Sequence, residues 1–178
     1  YAAIAQEEMR RYKIPASITL AQGLLESQLG KGVLAKKSNN HFGIKCKREW
    51  KGKKVYHDDD APGECFRAYE DPKESYRDHS LFLAERERYA SLFRLKKTDY
   101  KAWAKGLKKA GYATDPAYAD KLIGLIERFS LWKYDNPKVS PDFTIKNRDI
   151  HIVQKGDTLY GLSQRYKISV ENLKKING

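Results

Sequence analysis

Glu26 follows Leu24-Leu25 at the end of a long apolar run and precedes Ser27-Gln28-Leu29-Gly30, so its carboxyl belongs where a buried helix leaves the core. Desolvation disfavours the carboxylate anion and raises its pKa, which keeps a proton available for a leaving group. Taken alone, the same residue is also an ordinary helix end. A second acidic group is close at hand in the run Asp58-Asp59-Asp60, with Glu64 just behind it. One protonated carboxyl and one ionised carboxylate are the equipment of glycoside hydrolysis. The first protonates the leaving oxygen, and the second activates water, bonds to the sugar or stabilises an oxocarbenium-like transition state. The Asp run equally reads as a solvated or cation-binding turn, but it lacks EF-hand spacing, and neither a metal nor a cofactor is expected. His57 stands beside the run. Cys46 and Cys65 are the only cysteines. They fit one disulfide in an oxidising compartment or a pair of reduced thiols, and fit poorly with zinc.

The elements that must position these groups follow from apolar spacing. Ala2 to Tyr12 predicts a helix with Ile4, Ala5, Met9 and Tyr12 on one face, stopped by Ile14-Pro15. Pro15 opens a second helix running through Ile18, Leu20, Ala21, Leu24 and Leu25 towards Gly30. After the turn Ser38-Asn39-Asn40, strands are expected around Phe42 to Cys46, Lys53 to Tyr56 and Cys65 to Tyr69, forming a small hairpin-like lobe. Helices are then expected from Pro72 to Arg88, from Asp99 to Ala110 with a stop at Gly111, and from Pro116 to Phe129. Residues 136–148 lack strong periodicity and read as a linker between a domain at 1–135 and a smaller unit at 149–178. That unit predicts a strand His151 to Val153, a turn at Gly156-Asp157, and helices Thr158 to Tyr166 and Val170 to Ile176.

Lys and Arg number 35 against 23 Asp and Glu, a net charge of +12 that favours polyanionic partners. Basic and acidic residues alternate, as in Glu85-Arg86-Glu87-Arg88, which argues against a nucleic-acid face. No apolar run approaches the roughly 20 residues of a membrane span. The start at Tyr1 leaves a processed leader open.

Three ordered motifs, Thr19-Leu20-Ala21-Gln22-Gly23-Leu24-Leu25-Glu26-Ser27, Ser38-Asn39-Asn40-His41-Phe42-Gly43-Ile44-Lys45 and Gly111-Tyr112-Ala113-Thr114-Asp115-Pro116-Ala117-Tyr118-Ala119, resemble the glucosaminidase family of bacterial peptidoglycan hydrolases over about residues 1–132. The resemblance implies a mainly α, lysozyme-like domain with a small β-lobe beside a groove, acting on glycan strands. It also implies that Glu26 is the general acid, that a β-lobe acid assists it, and that Tyr112 lines the catalytic centre. Asp60 is the expected second acid, with Asp59 next and Asp58 or Glu64 as alternatives. Asn40, Phe42, Asp59 and Tyr118 are expected to contact substrate, although Asn40 also reads as a turn residue and Tyr118, like Trp50, as core.

The segment from His151 to Ser163, with Tyr166 and Leu173 to Asn177, resembles a LysM module, a family that binds N-acetylglucosamine-containing glycans. Gly156 suits a tight bend, and Asp157 or Thr158 can cap the helix that follows. The resemblance places sugar at Gly156, Asp157 and Thr158 and implies a partial βαα(β) module, since the sequence stops at Gly178 before a closing strand. Both resemblances imply a monomeric, secreted or periplasmic, wall-associated endo-β-N-acetylglucosaminidase whose partner is peptidoglycan. A muramidase or lytic transglycosylase, and a non-catalytic wall binder, are the alternatives.

Overall fold

In the computed structural model every residue from Ala16 to Gly23 is buried, and the helix they form is the axis of the larger unit. A helix apolar all round needs neighbours on all sides. The structure describes residues 1–59, 61–139, 151, 153, 156–166 and 168–177. In chain order the elements are α1 (Ala2–Tyr12), α2 (Ala16–Glu26), α3 (Val33–Ser38), β1 (Lys54–His57), β2 (Glu64–Arg67), α4 (Pro72–Ala84), a 3-10 helix (Glu87–Arg94), α5 (Tyr100–Lys109), α6 (Tyr118–Arg128), a second 3-10 helix (Leu131–Asp135), α7 (Leu159–Tyr166) and α8 (Val170–Asn177). Helix α2 packs against α1, α5, α6 and the second 3-10 helix, and α1 lies along α4. The chain divides into two compact units, Tyr1–Asp142 and Phe143–Gly178.

Ile14, Ile18, Leu83, Trp103, Leu107, Leu122 and Ile126 are all fully buried and form the heart of the core. Local chemistry sets the helix starts. Asp71 accepts the Lys73 N–H ahead of Pro72, and Asp99 accepts the Ala102 N–H at the head of α5. At the other end of the domain, Ser17 donates its N–H and its hydroxyl to the two oxygens of Asp135, at 2.8 and 2.7 Å. This ties the second 3-10 helix to the start of α2. Arg77 grips the buried Glu8 carboxylate through Nε and Nη2, joining α4 to α1.

Several elements differ from the sequence expectation. Helix α2 stops at Glu26 instead of reaching Gly30, because Gln28, Leu29 and Gly30 all turn left-handed (φ 51°, 59° and 76°). Phe42 to Cys46 is not a strand. Gly43 is left-handed there, the Asn40 side chain binds both the N–H and the C=O of Ile44, and Lys45 alone forms a bridge, to Phe66. The two-stranded antiparallel hairpin is therefore β1 with β2, in the register Val55 to Phe66 and Tyr56 to Cys65. Helix α4 ends at Ala84 and not at Arg88, since Arg86 is extended (φ −102°, ψ 120°) and the chain re-enters a 3-10 turn. The short α3 and both 3-10 helices carry too few turns to show a period.

In the smaller unit α7 packs on α8. His151 and Val153 are not in a strand. The His151 ring instead bridges Asp157 Oδ2 (2.7 Å) and the Tyr166 hydroxyl (2.8 Å). Among the described residues no helix is long and apolar enough to cross a membrane.

Candidate active site

Two helix ends built the same way deliver the two central side chains. At the end of α2 the Leu29 N–H returns to the Leu24 carbonyl (2.7 Å) and Gln28 N–H to Leu25 (3.4 Å), the paired bonds of a Schellman motif. Glu26 is the last helical residue of that end. The left-handed position usually filled by glycine holds Gln28, with Leu29 left-handed after it, at about 1–2 kcal/mol per L-residue. Ser27 over-determines the turn: its hydroxyl accepts the Gly30 N–H at 2.8 Å and its carbonyl accepts the Gly32 N–H at 2.8 Å. Strain retained in this way gathers at functional sites. At the end of α5, Gly111 takes the left-handed position (φ 73°), and the Tyr112 N–H returns to the Leu107 carbonyl at 3.0 Å. Here glycine meets the conformation without strain.

Glu26 remains accessible to solvent, yet the protein atoms crowded around its carboxyl deprive the anion of hydration. That desolvation, reinforced by the negative charge of Asp59, raises its pKa from 4.5 to about 6. The carbonyl end of α2 acts in the same direction. A carboxyl that is both reachable and reluctant to ionise is suited to donate a proton.

The acids of the hairpin tip have separate occupations. Asp58 Oδ1 accepts the Gly63 N–H at 2.7 Å and closes the loop. Glu64 Oε2 accepts the Ala61 N–H at 3.2 Å while its Oε1 takes Lys45 Nζ at 2.8 Å. Among the described residues, Asp59, with a side chain 55% exposed, is a tip carboxylate whose charge acts on Glu26. Asp60, the expected second acid, lies outside the described residues. The tip is anchored by the disulfide Cys46–Cys65 (Cα–Cα 5.3 Å), which decides between the two readings of the cysteine pair.

Tyr112 is the hub of an aromatic cluster. Its ring stacks on Tyr118 (centroids 5.5 Å apart) and lies 6.0–6.3 Å from Phe82, Tyr89 and His79. Burial, with the nearby Tyr118, Glu26 and Tyr89 hydroxyls and carboxyl, pushes its pKa well above the usual phenol value, so the hydroxyl stays a donor. His79 is buried and stacks on Phe42 at 4.1 Å. Burial pulls its pKa down to about 3, leaving a neutral ring that serves as wall. His79 and Tyr76 were not singled out for the site from sequence, although they share a helical face with Leu83 at the spacing of core residues.

Other residues expected to contact substrate are packed or hydrogen-bonded within the protein. Tyr118 is 3% exposed, its hydroxyl accepts the Gln22 Nε2–H at 2.9 Å, and its ring stacks on Tyr112. Asn40 is 1% exposed, and its side chain is engaged with Ile44 and with the Arg67 carbonyl. Phe42 is buried under His79 and Tyr76. Trp50 lies on the hairpin with the Arg67 guanidinium 4.4 Å over its ring, and it lines a cavity of about 440 Å3 together with Tyr69, Lys73 and Arg77. In the smaller unit Gly156 is left-handed (φ 103°), Thr158 Oγ1 accepts the Gly161 N–H to cap α7, and Asp157 is held by His151.

Fold and site together define a lysozyme-like, mostly helical domain with an acidic hairpin beside a helix-end glutamate. The chain belongs to the glucosaminidase family: the family described as mannosyl-glycoprotein endo-beta-N-acetylglucosaminidase matches residues 2–131, and the LysM domain family matches residues 151–178. It is 36% identical to the exo-glucosaminidase LytG of Bacillus subtilis over 83% of this chain and 54% of the relative. It is 35% identical to the peptidoglycan hydrolase FlgJ of Vibrio parahaemolyticus over 67% of this chain and 42% of the relative. The chain thus spans about half the length of these curated relatives. A crystal structure of a peptidoglycan hydrolase from Sphingomonas sp. A1 superposes with a TM-score of 0.64 at 31% identity, covering 78% of this chain and 92% of the other.

Proposed function

We propose that the chain is a cell-wall glycosidase that cleaves the β-1,4 bond on the reducing side of N-acetylglucosamine in peptidoglycan, with residues 1–135 doing the chemistry. The observation that carries this reading is the Glu26 carboxyl, open to solvent and held protonated up to about pH 6. In this account Glu26 protonates the leaving glycosidic oxygen as the bond breaks. Asp59 supplies the negative charge that favours the developing oxocarbenium ion or the attack of water, and the Tyr112 hydroxyl donates a hydrogen bond to the sugar at the reacting centre. Residues 136–148 join this domain to the LysM unit at 149–178, which raises the local concentration of the enzyme on an insoluble glycan. Wall association outside the cytoplasm follows from the same reading.

An exo-acting mode is the second reading, favoured by the name of the Bacillus relative. Digestion of purified sacculi, followed by mass spectrometry before and after borohydride reduction, separates the possibilities. Internal cuts leaving reducing N-acetylglucosamine ends support the proposal. Release of terminal sugars alone supports the exo mode. Reducing or anhydro N-acetylmuramic acid ends without reducing N-acetylglucosamine overturn it in favour of a muramidase or lytic transglycosylase.

A further inference from the structure

Lys45 sits on the most firmly held stretch of the hairpin lobe. The Arg67 N–H bonds the carbonyl of Ile44 at 2.9 Å, the Cys46 N–H bonds the Cys65 carbonyl at 2.8 Å, and Cys46 is covalently joined to Cys65. Lys45 itself bridges Phe66 through its backbone, and its ammonium passes 5.8 Å from the centre of the Phe66 ring. From that base Nζ reaches Glu64 Oε1 at 2.8 Å and Asp59 Oδ2 at 3.8 Å. Glu64 is the anchor, since its other oxygen is bound to the Ala61 N–H of the tip. The Asp59 N–H also meets the Ala61 carbonyl, at 3.3 Å. Base, anchor and tip are therefore cross-braced through one cation.

We propose that Lys45 is a positioning residue, whose ammonium, steadied by Glu64, holds the Asp59 carboxylate in place for the reaction. This rests on the reading of Asp59 as the second acid. The side chains of Lys45 and Asp59 are 40% and 55% exposed, so their contact stabilises the fold little. Its consequence is local: a carboxylate on a loop tip adopts many positions unless something rigid selects one, and misplacement of a reacting group is costly in rate. Among the described residues, ionisable groups facing Lys45 include Glu64 on β2 and Asp59 on the tip, with Asp58 turned to the Gly63 N–H, and Asp59 in turn acts on Glu26 at the end of α2.

The test is a kinetic comparison of Lys45→Met, Lys45→Arg, Asp59→Asn and the Lys45→Met/Asp59→Asn pair on a soluble glycan, with melting temperatures. Lys45→Met is expected to melt within a few degrees of wild type and to lose about 10-fold in kcat with little change in KM. Lys45→Arg should recover most of the loss, and Lys45→Met should add nothing in the Asp59→Asn background. An unchanged kcat in Lys45→Met, or an equal loss with and without Asp59, overturns the proposal. If Asp59→Asn alone turns over like wild type, it is the assignment of Asp59 that fails, and the role of Lys45 fails with it.

Discussion

Raising the pH through 6 should switch off the proton donor, and the structure sets the size of the effect. With its pKa at about 6, Glu26 is still protonated in about 9% of molecules at pH 7, against about 0.3% for a carboxyl at the ordinary 4.5. The surroundings of the residue are thus worth about 30-fold in active acid at neutral pH. Desolvation is the larger cause and Asp59 the smaller. The assay is kcat/KM on a soluble peptidoglycan fragment from pH 4 to 8, which reports the free enzyme. A basic limb should bend near pH 6 and fall about 10-fold per pH step beyond it. In Asp59→Asn the limb of the residual activity should move to lower pH while staying above 4.5. A limb at the pH of an unperturbed carboxyl, or a profile flat to pH 8, refutes the reasoning.

Other consequences concern stability and the supports of the site. Because the folded pKa of Glu26 exceeds 4.5, the wild-type fold loses stability as pH rises between about 4.5 and 6. Glu26→Gln should therefore melt higher than wild type at pH 7, and the gap should close by pH 4, as read by differential scanning calorimetry. Tyr112→Phe removes a donor next to Glu26 and keeps the ring packing, so kcat should fall about 10- to 100-fold with the melting temperature held. Gly23 faces Phe42 and the Tyr76 hydroxyl so closely that an added Cβ would stand 3.5 and 3.3 Å from them. Gly23→Val should cost about 1–3 kcal/mol in urea unfolding. The Cys46–Cys65 bridge spans 19 residues and contributes about 3 kcal/mol by chain entropy. Dithiothreitol should therefore lower both activity and urea resistance in wild type, with no further effect on a Cys46→Ser/Cys65→Ser variant.

The helical order was legible because burial imposes a period on the sequence. The apolar face of α1 and the continuous apolar run of α2 could each be read directly, as could the helix starts near Pro72 and Asp99. What was not legible depended on side chains replacing backbone partners. Asn40 satisfies Ile44 so fully that a segment patterned like a strand becomes a turn. At the site, Glu26 stood out because a carboxylate on an apolar run is a conflict between local and global preference. The separate tasks of Asp58, Asp59 and Glu64 follow from which backbone N–H or ammonium each one meets across the tip, and linear order does not contain that information. Tyr118 and Phe42 match the family pattern yet are buried, because a motif records supports and contacts alike.

The role proposed for Glu26 is delivery of the proton that breaks a glycan bond. The direct measurement is the rate at which Glu26→Gln releases new reducing ends from purified sacculi at pH 5.5, alongside its retention on the same sacculi in a pull-down. The expected rate is lower by about 100- to 10,000-fold, with binding to the wall preserved. Reducing ends appearing within a few-fold of the wild-type rate would contradict it.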